Sequence, residues 1–358
     1  SAAVGPDYSL GMTRYIIIGA GAIGGALGGR LTHAGSRAVL VARGEHLAAM
    51  RKSGLRLRTP NEDLQIPVTA VGGPDELELS PDDVLVVATK THQAGDALAA
   101  WADAPLSGTK GPQSGDEVAG TAGEHLPVLM ALNGVASEGI ALRYFDRVFG
   151  VCVWMPAVHL VPGEVIVRGA PTSGMFHLGR VPADLTGEAD HQLLERIRQD
   201  WTAANFDVRL PGDVMPWKYR KLISNIGNAF QALVGSGGDV KPLVDAAVLE
   251  ARTVLEKAGV AFTSDEEEQE ARAAGFTMRP VPGEPADMGG STWQSLARGT
   301  GNVETDYLNG EIALLARQHG ITAPINAAMA SLSRVAAATG QRPGAISAAE
   351  LARRLGLH

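Results

Sequence analysis

The sequence predicts an α/β fold in two parts, a parallel-sheet domain followed by an all-helical C-terminal domain. Three observations carry this. Short apolar runs alternate with helical patterns over the first 210 residues, a glycine-rich turn joins the first run to the first helix, and no buried strand appears after Pro211.

Taken in order, Arg14 to Ile18 is a buried strand that ends at Gly19, and Ala22 to His33 is a helix of small residues. Ala38 to Ala42, Asp83 to Thr89 and Val128 to Leu132 read as further buried strands. Leu55 to Val71 reads as two short strands around a turn near Pro60 and Asn61. Pro105 to His125 is rich in Gly, Ser, Thr and Pro and reads as a surface loop. The apolar runs between Phe149 and Leu178, broken by Pro156, Pro162-Gly163 and Gly169, suit strands that finish the sheet, and helix resumes near His191. After Pro211-Gly212, helical patterns cover Trp217 to Val234, Val240 to Ala258, Thr263 to Ala274 and Glu304 to His319, with an amphipathic helix at Ser347 to Leu357. The expected division is a tag or disordered tail over 1–11, a dinucleotide-binding domain over 12–210 and a helical substrate or dimerisation domain over 211–358.

The 358 residues carry a formal charge of −8 and no basic run, so nucleic acid is not an expected partner. No apolar run approaches the roughly 18 residues that span a bilayer, and the segment before Met12 has no signal-peptide core. One cysteine, Cys152, excludes an internal disulfide and fits a reducing cytoplasm. In its apolar run it reads as a buried small hydrophobe. His92 and His159 have no partners at metal-ligand spacing, so no metal is expected.

Gly19, Gly21 and Gly24 form GAGAIG between strand and helix. The first permits a tight turn, the second lets a pyrophosphate approach the backbone, and the third lets the helix pack closely, while the helix N-terminus offers free N–H groups to phosphate. This is the pattern of a Rossmann-type domain. NAD-specific domains place a carboxylate at the end of the second strand for the ribose 2′-hydroxyl. Here Arg43 stands there, 24 positions past Gly19, where a guanidinium can hold a 2′-phosphate. The expected cofactor is NADPH, although Glu45 lies nearby.

In the helical part, Lys221, Asn225 and Asn228 fall at i, i+4 and i+7 of one apolar helix. They face either solvent or a cleft. Lys218 is the rival lysine on a neighbouring face. Glu304, Asp306 and Asn309 open another helix, where acidic residues commonly serve the dipole.

Together these segments resemble the ketopantoate reductase family, from Met12 to about Ala328. The likeness runs through GAGAIG, the arginine after the second strand, TKTHQ (Thr89 to Gln93), NGV (Asn133 to Val135), WKYRKLISN (Trp217 to Asn225), STWQSL (Ser291 to Leu296) and ETDYLNGEI (Glu304 to Ile312). The resemblance implies NADPH-dependent reduction of 2-dehydropantoate to (R)-pantoate, toward pantothenate and coenzyme A. It makes Lys221 the catalytic lysine and Glu304 the acidic residue that bonds the substrate hydroxyl and orients the lysine. It assigns Asn225, Asn228 and Asn133 to the substrate, with Thr292, or Ser291 beside it, on the substrate carboxylate. Ala22, Ile23, Lys90, Gln93, Asn133 and Glu304 join Gly19, Gly21, Gly24 and Arg43 around the cofactor.

Three positions depart from the family. Ala229 stands where a second asparagine is usual, Leu132 precedes the NG, and Val151 to His159 (VCVWMPAVH) is bulkier than a small-residue stretch. These leave another branched 2-oxo acid or an opine-type substrate open. A non-catalytic NADPH-binding sensor is the reading from another class. Apolar helices in the second part could form a homodimer face.

Overall fold

The computed structural model describes residues 13–107, 120–235, 238–285, 291–299 and 304–357, without the side chains of Ser291, Gln294 and Arg298. The expected tail, Ser1 to Gly11, lies outside the described residues. In chain order the first half contains β1 (Arg14–Ile18), α1 (Ala22–His33), β2 (Arg37–Val41), α2 (Gly44–Ser53), β3 (Leu55–Arg58), β4 (Asp63–Ile66), β5 (Thr69–Val71), β6 (Asp83–Val87), α3 (Thr91–Ala102), α4 (Ala122–His125), β7 (Pro127–Met130) and α5 (Ser137–Ala141). There follow β8 (Arg147–Trp154), β9 (Ala157–Val158), β10 (Glu164–Val167), β11 (Gly169–Pro171), β12 (Gly174–Val181), α6 (Glu188–Ala203) and β13 (Phe206–Arg209). The rest comprises α7 (Met215–Asn225), α8 (Gly227–Val234), α9 (Lys241–Lys257), α10 (Asp265–Gly275), β14 (Phe276–Met278), α11 (Ser291–Arg298), a 3₁₀ turn at Glu304–Tyr307, α12 (Asn309–Gln318), α13 (Pro324–Ala338) and α14 (Ala348–Leu355).

Eight strands make the main sheet in the order β13-β12-β8-β7-β6-β1-β2-β5, parallel throughout except where β12 runs against β8. Both faces are covered, which explains the unbroken apolar runs. Ile16, Leu85 and Val128 point toward Leu98 and Trp101 of α3. Their neighbours Tyr15, Ile17, Val86 and Leu129 point the other way, toward Leu27 of α1 and Trp201 of α6. The period of two is therefore hidden by burial on both sides.

Not every strand between Phe149 and Leu178 finishes this sheet. β9 and β10 join β3 and β4 in a second, four-stranded sheet, and β11 pairs with β14. The region from Leu55 to Val71 holds three strands rather than two, because β5 leaves for the edge of the main sheet. Helix α1 is wedged between the two sheets. A Cβ on Gly28 would come within 2.9 Å of Leu40 in β2, and one on Gly25 within 2.8 Å of Val165 in β10.

The expected loop from Pro105 to His125 contains a helical turn, α4, closed by a reciprocal capping box of Thr121 and Glu124. Its residues 108–119 lie outside the described residues. The single helix expected from Trp217 to Val234 is two, α7 and α8, parted at Ile226. The helix expected from Glu304 starts as the 3₁₀ turn and continues as α12. The helices α7, α8, α9, α12 and α13 share one core around Leu222, Phe230, Ala251, Ile312 and Met329. At its centre Asn309 donates to Asn326 (3.0 Å), which donates to the Ala247 carbonyl (3.0 Å) and Glu250 (2.9 Å).

Where α7 meets the sheet, His177 of β12 stacks on Trp217, with ring centroids 4.0 Å apart. Neither ring nitrogen has a hydrogen-bond partner among the described residues. Burial, aided by Arg209, pushes the imidazole down to about 3 from an ordinary value near 6.5. Below pH 6.5 the unfolded chain takes up this proton and the folded chain does not, so stability falls with pH until about 3. The slope is roughly 1.4 kcal/mol per pH unit. His177→Phe keeps the stack and should flatten this part of the urea-unfolding profile measured between pH 7 and 4. An unchanged slope would remove His177 as its source.

Candidate active site

The glycine turn leaves open space in front of the start of α1. Gly19 has φ +97°, and a Cβ there would meet Thr89 Cγ2 at 2.9 Å. The N–H groups of Gly19 and Ala20 both donate to the Val41 carbonyl, at 3.1 and 2.9 Å, which ties the turn to β2. A Cβ on Gly24 would run into the Gly19 carbonyl oxygen, so only glycine lets α1 start so close to the turn. At Gly21 a Cβ would meet nothing within 4 Å. Helix α1 has no side-chain cap and no acidic residue in its first turn, so its leading N–H groups and dipole face that open space.

His46 of α2 steadies the turn from behind. Its Nδ1 accepts from the Gly163 N–H at 2.8 Å, so Nε2 carries the proton and donates to the Ala20 carbonyl at 2.6 Å. Burial holds this imidazole below its ordinary value, and His159, with its ring 4.1 Å away, adds to the effect.

In front of the turn lies a cavity of about 490 Å³, at the C-terminal ends of β1, β6 and β7, where ligands bind in parallel α/β sheets. Gly19, Gly21, Ala22 and Ile23 form one wall, and Lys90, Gln93 and Asn133 form the next. The helical part contributes Lys221, Asn225, Asn228 and Glu304. Residues far apart in the sequence thus meet in one place. Arg43 does not line the cavity. It is the exposed N-cap residue of α2, just past the end of β2, and its guanidinium has no hydrogen bond or ion pair among the described residues. Thr292 is buried in α11 and is not a cavity wall, and the side chain of Ser291 lies outside what is described.

The two lysines of α7 have different fates. Lys218 is buried, forms an ion pair with the equally buried Glu138 of α5, and donates to the Leu132 carbonyl at 3.3 Å. It is a structural group. Lys221, half-buried, has no hydrogen bond or ion pair among the described residues, and its Nζ lies 5.1 Å from the centre of the Trp154 ring. Burial pushes its ammonium down to about 8, and the positive charges of Lys218 and Arg272 push the same way.

Glu304 shares the cavity with Lys221 but is bonded elsewhere. Its Oε2 accepts from Lys90 Nζ at 3.0 Å, and its Oε1 accepts from the N–H and hydroxyl of Thr91, each at 3.1 Å. The acidic residue therefore spans the cleft to the first turn of α3. Cys152 is buried, donates to the Trp217 carbonyl at 3.5 Å, and is pushed up to about 11 by burial, so it stays a thiol.

Several wall residues escape sequence reasoning. Arg168, at the end of β10, is a buried guanidinium that donates to the Pro285 carbonyl at 2.6 Å. His159, read from the sequence as structural, and Met278 of β14 also line the cavity. Their one signal is a polar or flexible residue at the end of an apolar run, which has no periodicity to mark it.

Two family models match this chain. "Ketopantoate reductase PanE/ApbA" covers residues 15–182, and its C-terminal counterpart covers residues 213–337. The chain belongs to the ketopantoate reductase family. A 2-dehydropantoate 2-reductase of Pyrococcus horikoshii is 25% identical over 321 residues, covering 87% of this chain and 93% of the relative. One from Mesorhizobium japonicum is 28% identical over 271 residues, covering 69% and 77%. The crystal structure of a PanE/ApbA family ketopantoate reductase from Ralstonia eutropha JMP134 superposes with a TM-score of 0.72 at 25% identity, over 92% of this chain and all of that one. A D-mandelate dehydrogenase solved with NADH and anilino(oxo)acetate gives a TM-score of 0.73 at 18% identity, over 92% and 99%, and shares the fold.

Ala229, where the resemblance led to the expectation of a second asparagine, is buried in the helical core, while Asn228 beside it reaches the cavity.

Breaking a buried ion pair leaves one uncompensated charge. Lys218→Met alone should cost about 3–5 kcal/mol in urea unfolding. Adding Glu138→Gln should recover much of that loss, and a double variant no more stable than the single one would refute the pairing.

Proposed function

We propose that this chain reduces 2-dehydropantoate to (R)-pantoate with NADPH, a step toward pantothenate and coenzyme A. One observation carries the reading. A glycine turn whose helix has no side-chain cap and an ammonium with no carboxylate partner among the described residues line the same cavity.

The residues present fit a dinucleotide. The room over Gly21 and the uncapped start of α1 suit a pyrophosphate, and the exposed Arg43 at the end of β2 suits a 2′-phosphate. Ala22, Ile23, Lys90, Gln93 and Asn133 continue the same surface. The dinucleotide supplies a hydride when bound. The chain supplies the rest.

Lys221 would stabilise charge developing on the carbonyl oxygen and pass it a proton. With its value near 8 it is charged at neutral pH yet gives up the proton at modest cost. Asn225, Asn228 and Asn133 would orient the substrate by its polar groups; Thr292, buried outside the cavity wall, would reach its carboxylate only if α11 moves inward. Glu304 would accept the substrate hydroxyl at Oε2, which holds only the Lys90 bond and retains acceptor capacity. In this reading residues 12–210 form the dinucleotide domain and 211–358 the substrate domain, acting in the cytoplasm on a small 2-oxo acid. Exposed Leu249 and Val335 on α9 and α13 support a homodimer face there. Among the described residues no helix is long and apolar enough to cross a membrane.

Loss of absorbance at 340 nm with 2-dehydropantoate present, run with NADPH and NADH, tests reaction and cofactor together. Lys221→Ala should lower kcat by about two orders of magnitude or more with little change in the KM for NADPH. Near-normal turnover would refute its role. Arg43→Asp should raise the KM for NADPH well above that for NADH, and an unchanged ratio would remove Arg43 from cofactor choice.

A further inference from the structure

We propose that Trp154 is a positioning residue that holds the Lys221 ammonium on its indole face, and that Arg272, on the same ring, opposes it. The inference deepens the reading of Lys221 as the proton donor and rests on it.

Three elements converge on this indole. β8 provides the ring at its last residue, α7 provides Lys221, and α10 provides Arg272. Lys221 Nζ lies 5.1 Å and Arg272 Cζ 5.0 Å from the ring centre. Both distances are within the reach of a cation–π contact. The indole is buried against Cys152, Met175, Val214 and Ala271, so its orientation is fixed by packing.

A lysine has a long, flexible stem, and among the described residues Lys221 has no carboxylate or carbonyl bonded to its head. Among them the indole face is the direct contact that attracts this ammonium, with Glu268 adding a favourable charge from farther off. The charged and titratable groups that face it are Cys152 from β8, Lys218 from its own helix, and Arg272 and Glu268 from α10. Of these, Arg272 is held by Glu268 at 3.4 Å, and Glu268 is itself bonded to Arg220 and Ser224. The opposing cation is therefore placed by a network rather than by chance exposure. Helix α10 leads directly into β14, whose Met278 lines the cavity, so the strand beside the substrate and the cation that opposes Lys221 form one segment.

This arrangement predicts shifts of opposite sign. Removing the ring removes an attraction for the charged form, and removing Arg272 removes a repulsion. The test measures the pH dependence of Lys221 acylation, by trace labelling with acetic anhydride and mass spectrometry of the whole protein, alongside kcat against pH with NADPH and 2-dehydropantoate. Wild-type labelling should show a midpoint near 8. Trp154→Leu should move the midpoint down by about half to one pH unit, Trp154→Phe should move it less, and Arg272→Gln should move it up by about half a unit. The basic limb of kcat should follow, with the KM for NADPH unchanged. Trp154→Phe, which preserves the packed ring, keeps the test valid if Trp154→Leu does not fold. Midpoints that stay fixed, or that move the same way in the Trp154 and Arg272 variants, overturn the proposal. Midpoints that move as stated while kcat shows no basic limb uphold the cation pairing and overturn Lys221 as the proton donor.

Discussion

The cavity depends on the buried pair of Lys218 and Glu138. Taking two ions out of water costs several kcal/mol each, and only close pairing with further hydrogen bonds offsets it. Here the pair lies between α5 and α7, so the sheet and the helices cannot separate without leaving a charge unanswered. The same ammonium donates to the Leu132 carbonyl, next to Asn133 in the cavity wall. One contact therefore sets the end of β7 and the position of the helix that carries Lys221. Glu304 makes a second tie on the far side, through Lys90 and Thr91. The two ties bracket the cavity.

Helix α7 thus presents two lysines three positions apart in different surroundings. Lys218 is paired with a carboxylate and is a structural group. Among the described residues the Lys221 head touches a π face and no paired carboxylate, and burial depresses its proton affinity. The two effects are coupled, because the charge of Lys218 pushes Lys221 further down. A contact that joins the two halves of the protein also contributes to the acidity of the group placed to do chemistry.

Much of this was legible in the sequence wherever the signal was local. Gly19, Gly21 and Gly24 follow from a turn whose geometry leaves no room for side chains, and α1 spans the predicted residues. Lys221, Asn225 and Asn228 line one cavity; their spacing placed them on one helix face and left solvent or cleft open, and the helix breaks at Ile226 between them. Hidden features depend on contacts between distant segments. β10 pairs with β3 across more than a hundred residues, and nothing in Glu164 to Val167 distinguishes it from a strand of the main sheet. The tautomer of His46 depends on Gly163, and the bonds of Glu304 depend on Lys90 and Thr91. The helical turn α4 is a different case. Its capping box is present in the sequence as Thr121 and Glu124, but the glycine- and serine-rich stretch around it favours a loop reading.

Several polar groups elsewhere in the chain are paired. Asn309, Asn326 and Glu250 close a network inside the helical core, Arg14 is paired with Asp83, and Arg147 with Asp190. Against that background, the groups left to solvent around the cavity are informative. The first N–H groups of α1 have no cap, Arg43 has no carboxylate, and Lys221 has no hydrogen-bond partner among the described residues. All three are donors or cations, in a chain whose net charge is −8. In an acidic protein, free donors and a cation in and beside one cavity favour the binding of anions there. A dinucleotide phosphate on one wall and a 2-oxo acid near the other are anions of this kind.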